Sequence, residues 1–191
     1  MKMPSLFERV TGRNVPSPDS PDVIERCLFC HVSAERDFSI VAENDKFVVF
    51  RDKYPSARVH LLVTPRAHIP NTSNLGQGHV EMVKEMLALG TQALDSVRVT
   101  AAVDEEDQKK KKHKDGQSGY VFGFHVPPFR SVDHLHLHCQ QLPYLSRRQG
   151  LKYPILEPSG KSQFKGTGWF VTAQQAIDIL SSGQKIGFGS C

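Results

Sequence analysis

Short runs of β-branched and aromatic residues, cut by turn formers, fill the middle of this chain and predict strands. Ser39-Ile40-Val41-Ala42-Glu43 and Phe47-Val48-Val49-Phe50 flank Asn44-Asp45-Lys46. That is a hairpin pattern, because Asn and Asp tolerate turn geometry while Val and Phe suit a pleated surface. Pro55 breaks the chain before a third run, His60-Leu61-Leu62-Val63-Thr64, which Pro65 ends because proline has no N–H for a ladder. From His79 the period changes: Val80, Val83, Leu87, Gly90 and Leu94 recur at steps of three and four, with Glu81, Lys84, Glu85 and Gln92 elsewhere. This is the stripe of one amphipathic helix laid against a sheet. Tyr120-Val121-Phe122-Gly123-Phe124 and His134 to Gln140 predict two further strands, joined through Pro127-Pro128. That connection has to lie outside the sheet, where its backbone can approach a ligand. Trp169 to Thr172 reads as another strand, and Ala173 to Leu180 as a short helix with Thr172 as its cap. Hairpin-linked strands with helices segregated to one side make an α+β domain with an antiparallel sheet, one long helix and one or more short ones.

The strand from His134 carries the chemistry. Successive side chains of a strand point to opposite faces, so His134, His136 and His138 share one face while Leu135, Leu137 and Cys139 fill the other. Burying one polar ring without partners costs ~1–3 kcal/mol, so three adjacent imidazoles favour a site over a core. Residue types alone leave open a histidine-rich edge strand and a metal site, since His-x-His is also a ligand spacing. Cys27-Leu28-Phe29-Cys30 is half a zinc site or two buried small side chains. On their own, Asp52 is a turn residue after a strand, Leu28 and Phe29 are core residues, and His125 is a strand-end histidine facing solvent.

The run His134-Leu135-His136-Leu137-His138, preceded by Gly123-Phe124-His125-Val126-Pro127-Pro128-Phe129-Arg130-Ser131, resembles the signature of the histidine triad family of nucleotide hydrolases and transferases, in its nucleoside phosphoramidase branch. The resemblance covers Cys27 to Gln140, with a weaker echo at Trp169-Phe170-Val171-Thr172. It implies a histidine-triad-like antiparallel sheet and a set of roles. His136 would be the nucleophile, forming a nucleotidyl-histidine that water hydrolyses. His138 would bond the α-phosphate, His134 would orient His136, and Ser131 would contact the phosphate and the leaving group. Asp52 would accept the ribose hydroxyls and Leu28 and Phe29 would cover the purine. Lys53, His125, Phe129 and Arg130 complete the nucleotide-binding set. Lys53 stands where an apolar residue is usual, and Cys139 and Gln140 stand where two apolar residues usually follow the third histidine. Members that hold zinc do so through positions matching Cys27, Cys30, His68 and His134; otherwise no cofactor is required. The implied activity is hydrolysis of adenosine 5'-phosphoramidates or related nucleotidyl conjugates to AMP. Hydrolysis of adenylated nucleic acid or of dinucleoside polyphosphates is the alternative within the family, and a purine-nucleotide-binding scaffold without turnover is the alternative outside catalysis. A homodimer is the assembly implied.

Composition adds bounds. A chain of 191 residues, 39% hydrophobic and 23% charged, fits one soluble domain, read as 23–191 after a flexible lead-in over 1–22. No apolar run approaches the roughly 20 residues of a spanning helix, and no hydrophobic leader is seen, so a membrane is not an expected partner. Four cysteines without an export segment point to reduced thiols and to the cytoplasm and nucleus, with Cys139 packed as a small hydrophobe and Cys191 free. Much of the net charge of +4 lies in Lys109-Lys110-Lys111-Lys112-His113-Lys114, after Asp104-Glu105-Glu106-Asp107. The span 103–118 reads as a solvated, disordered insertion, and its lysines also suit a nuclear localisation signal or a nucleic-acid contact.

Overall fold

In the computed structural model, which describes residues 24–100, 119–158 and 163–189, six strands make one antiparallel sheet: β1 (Ile40–Glu43), β2 (Phe47–Arg51), β3 (Ala57–Pro65), β4 (Tyr120–His125), β5 (Leu137–Tyr144) and β6 (Phe170–Thr172). Their spatial order is β1-β2-β3-β5-β4-β6. The spans 1–22 and 103–118 and Cys191 lie outside the described residues. The predicted hairpin forms, and Asn44 closes its turn by accepting the N–H groups of Lys46 and Phe47 on Oδ1 at 2.9 and 2.8 Å. The weak echo near Trp169 becomes β6, an edge strand paired with β4 through Gly123 to His125.

Two strands differ most in their bounds from the sequence reading: β3, expected over His60 to Thr64, begins at Ala57 and includes Pro65, whose carbonyl side still pairs with Phe47. The strand expected over His134 to Gln140 begins only at Leu137 and runs on to Tyr144. Antiparallel pairing sets Val63 opposite Leu137, and two residues further along β3 comes Pro65, which has no N–H to offer. The ladder stops there, and the Leu135 N–H bonds the Ile69 carbonyl instead, at 2.6 Å. His134 therefore sits in a bend and His136 in the irregular lead-in to β5.

Helix α1 (Val80–Thr100) covers one face of the sheet. Its buried stripe is Val83, Met86, Gly90, Ala93, Leu94 and Val97, while Val80 and Leu87 are partly buried. The stripe is thus turned somewhat from the predicted one, with Met86 taking the place of Leu87. Gly90 is required by close approach: a Cβ there would stand 2.5 Å from Cys139 Sγ. The short helices are α2 (Arg147–Gly150) and α3 (Ala173–Ser181). Thr172 caps α3 as expected, its Oγ1 accepting the Gln175 N–H at 3.1 Å while Gln175 Oε1 accepts the Thr172 N–H at 3.0 Å. Leu61, Val63, Leu137 and Cys139 point to α1 and form the main core. The opposite face carries Phe29, Val32, Val48, Phe50 and Leu62, and beside them Val121, Tyr153 and Phe170. No helix among the described residues is long and apolar enough to cross a membrane.

Candidate active site

The face turned away from α1 collects histidines from three strands and one loop. His134, His136 and His138 are all buried there. Although the chain bends at His134, the side chains alternate as the sequence predicted, with Leu135, Leu137 and Cys139 in the opposite core. The His134 ring lies with Nε2 2.8 Å from the Pro65 carbonyl, so Nε2 donates and Nδ1 keeps its lone pair. His136 is held through the main chain: its Nδ1 lies 2.6 Å from the His134 carbonyl oxygen and donates to it. The lone pair of His136 therefore sits on Nε2. Burial lowers both rings to about 4, leaving them neutral near pH 7. Phe29 stands edge-on to both, its ring centroid 5.4 Å from that of His136 and 6.2 Å from that of His134.

His138 has both nitrogens engaged by other imidazoles. His60 Nε2, from β3, lies 2.9 Å from its Nδ1, and His125 Nδ1, from the end of β4, lies 3.0 Å from its Nε2. The solvent-facing reading of His125 is thereby corrected, because Phe170, Tyr153 and His138 surround its ring at centroid distances of 5.5, 5.1 and 4.7 Å. His125 Nε2 and Trp169 Nε1 both donate to the Lys152 carbonyl, at 2.9 and 3.2 Å. His136, His134, His125, Arg130, Asn71 and Thr72 line a cleft at this place. Within it the Thr72 hydroxyl is buried and has no partner among the described residues.

The remaining predicted residues fall around this centre. Asp52 is half-buried; its Oδ1 accepts the Tyr54 N–H at 2.8 Å and its Oδ2 lies 3.4 Å from His60 Nδ1. It is a turn residue and a site neighbour at once, and burial pushes its carboxyl above the usual range. Arg130 Nε donates to Asp133 Oδ1 at 2.7 Å, and Asn71 Nδ2 donates to the same oxygen at 3.0 Å, which ties the Pro-rich connection to the loop after β3. Phe129 is half-exposed, facing Trp169 and Phe188 at 5.6 and 5.5 Å between centroids. Ser131 and Lys53 are exposed, Lys53 Nζ lying 6.0 Å from the Tyr54 ring centroid. Of the Leu28 and Phe29 pair only Phe29 packs inward; Leu28 is 54% exposed, which corrects the core reading for it. The 3₁₀ turn Leu28–His31 points consecutive side chains in different directions.

Cys27, Cys30, His68 and His134 are brought together, their ligand atoms all within 4.8 Å of one another. Cys27 Sγ is 3.3 Å and Cys30 Sγ 3.6 Å from His134 Nδ1, and Cys30 Sγ is 3.3 Å from His68 Nδ1. A tetrahedral zinc with ordinary Zn–S and Zn–N bonds has ligand–ligand edges of roughly 3.3–3.8 Å, so the set fits that ion in type and spacing. With its Nε2–H committed to Pro65, His134 turns to the cysteines the one nitrogen that can ligate.

Sequence reasoning missed His60, Ser56 and Lys152. His60 lies 78 positions from His138 and has no local spacing to mark it, while Ser56 and Lys152 act through backbone groups that any residue type supplies. Only a register pairing β3 with β5 could have set His60 beside the triad.

The family model described as the C-terminal binding region of scavenger mRNA decapping enzyme matches residues 26–153. A bifunctional adenosine 5'-phosphosulfate phosphorylase/adenylylsulfatase of Arabidopsis thaliana is 36% identical over 141 residues, covering 72% of this chain and 85% of the relative. An adenosine 5'-monophosphoramidase of Mus musculus is 34% identical over 184 residues, covering 90% and 94%. Among solved structures, a hydrolase from Clostridium thermocellum is 20% identical, covering 65% of this chain and 96% of that one, with a TM-score of 0.49.

Proposed function

The chain belongs to the histidine triad family, and on that premise we propose that it is a hydrolase cleaving adenosine 5'-phosphoramidates or related nucleotidyl conjugates to AMP, with His136 as nucleophile. One observation carries this reading: the His134 carbonyl holds the His136 Nδ1–H, so a neutral, buried imidazole keeps its lone pair on Nε2 beside a cleft that Asn71, Thr72 and Arg130 line together with Phe124 and Val132. A scaffold that only bound nucleotides would need no such nucleophile. The Arabidopsis and mouse relatives both act on adenosine 5'-phosphate derivatives by name, in keeping with this substrate class.

The reaction follows from the groups present. The His136 Nε2 lone pair attacks the α-phosphorus and the bond to the leaving amine breaks. The departing nitrogen keeps the bonding pair and takes up one proton. The charge left on the ring is shared with Nδ1, whose N–H points at the His134 carbonyl, a dipole that favours that charge. Water then attacks the phosphorus, the P–N bond to His136 breaks, and AMP leaves as the water gives back one proton. Asp52 is matched to the ribose hydroxyls, Phe29 to the base, and Arg130, Ser131 and the unpartnered Thr72 hydroxyl to the phosphate oxygens and the leaving amine. Cys27, Cys30, His68 and His134 are proposed to hold a structural zinc. Bound there, the ion supplies a rigid crosslink between the Cys27–Cys30 turn, the segment after β3 and the triad.

A substrate panel tests the proposal. Turnover of an AMP–lysine phosphoramidate should exceed that of a diadenosine polyphosphate and of 5'-adenylated DNA by kcat/KM. A higher kcat/KM for either competitor, or no turnover of any of the three, would overturn it.

A further inference from the structure

His125, His138 and His60 form an unbroken row of hydrogen-bonded imidazoles whose two ends rest on backbone groups. At one end the Ser56 N–H lies 3.1 Å from His60 Nδ1. A backbone N–H only donates, so His60 Nδ1 accepts and the His60 proton is on Nε2. That nitrogen, 2.9 Å from His138 Nδ1, donates to it, which puts the His138 proton on its own Nε2. Nε2 of His138 then donates to His125 Nδ1 at 3.0 Å, and His125 Nε2 donates to the Lys152 carbonyl at 2.9 Å. A carbonyl only accepts, so both ends dictate the same direction. The reversed row would set donor against donor at Ser56 and acceptor against acceptor at Lys152.

From this we infer that His60 and His125 are positioning residues that fix the proton of His138 on Nε2, so that His138 meets an anionic phosphate oxygen as an N–H donor. The opposite tautomer would turn a lone pair toward that oxygen and repel it. His125 closes the row at the edge of the cleft, and it yields the His138 N–H when a phosphate arrives. Gln140 as placed sets its Nε2 donor 3.5 Å from His60 Nε2, donor against donor, while its buried Oε1 has no partner. Turning the amide over gives that oxygen to the His60 N–H. Asp52, 3.4 Å from His60 Nδ1, would favour a proton there, but the Ser56 N–H occupies that nitrogen. Burial keeps all three rings neutral, lowering His60 to about 3 and the other two below their usual range. An imidazolium within the row would bring two N–H groups face to face.

The inference rests on the nucleotide-site reading of His138 but is tested without turnover. Long-range proton–nitrogen NMR of the full chain with labelled histidine, at pH 7 and without ligand, should find His60, His125 and His138 neutral and protonated on Nε2. A His138 protonated on Nδ1 would overturn the inference. Calorimetry with AMP supplies the second readout. His60→Ala removes the donor that holds the His138 proton on Nε2 and should weaken AMP by about tenfold or more, the scale of one hydrogen bond to a charged group. His60→Gln, whose amide keeps a donor for His138 Nδ1, should recover most of that loss. Wild-type affinity in His60→Ala, or no recovery in His60→Gln, would equally overturn the inference. A chain with the stated tautomers that cleaved no phosphoramidate would refute the proposed activity and leave this inference standing.

Discussion

His134 and His136 are joined through the main chain and not ring to ring: the His134 carbonyl stands 2.6 Å from His136 Nδ1, while the His134 ring turns to Pro65 and the cysteine pair. One residue thus serves a metal-type cluster with its side chain and the nucleophile with its backbone. Replacing His136 removes attack and leaves the rest of the site in place. His136→Ala should lower kcat by on the order of 10⁴-fold or more while AMP affinity stays within a few-fold. Single-turnover kinetics with calorimetry would check it, and comparable kcat in the two proteins would refute the role.

The cysteine pair predicts a metal content. Purified protein should carry near-stoichiometric zinc by elemental analysis, and Cys27→Ser/Cys30→Ser should lose it together with thermal stability, because two of four donors are gone. Metal-free protein with an unchanged melting temperature would return both cysteines to the role of small packed side chains.

Much of this was legible in the sequence, and the reason is periodicity. His134, His136 and His138 declare one face by alternation alone, and Thr172 with Gln175 declares a helix start by cap chemistry. Asn44 likewise marks its turn. What stayed hidden depends on register. Where β5 begins is set by Pro65 reaching the position across from Leu135, a pairing no local pattern contains. The same holds for His60, placed beside His138 by the β3–β5 register, and for Met86, brought inward by the rotation of α1. The C-x-x-C pair and His68 suited a shared site by type, but only the fold brings their ligand atoms within 4.8 Å.

Gly90 offers a prediction whose sign runs against helix propensity. In an exposed helix Gly→Ala stabilises by about 1 kcal/mol. Here the new Cβ would meet Cys139 Sγ at 2.5 Å and Val63 Cγ2 at 3.3 Å, in the seam between α1 and the sheet. Gly90→Ala should destabilise by about 1–3 kcal/mol through overpacking. Adding Cys139→Ala removes the obstructing sulfur and should recover part of the loss. Urea denaturation of the single and double variants would show this, and a stabilised single variant would contradict it.

Acid should unfold the protein earlier than a typical domain, with His60 contributing. Its folded value of about 3 lies below the unfolded value of about 6.5, so the unfolded chain takes a proton that the folded one refuses. Its stabilising effect is intact above pH 6.5 and declines as pH falls toward 3, by about 2 kcal/mol between pH 7 and pH 5. His60→Gln, which keeps a donor for His138 Nδ1 but does not titrate, should flatten the fall in stability over that range. Identical slopes in the two proteins would remove His60 from the account.

The covalent role of His136 is tested most directly by stereochemistry at phosphorus. Attack by His136 followed by attack of water is two in-line displacements, each of which inverts the centre. Hydrolysis of an adenosine phosphoramidate made chiral at the α-phosphorus with sulfur, in water enriched in heavy oxygen, should give product with overall retention. Overall inversion would mean that water attacks the substrate itself, and the nucleophilic role of His136 would fall.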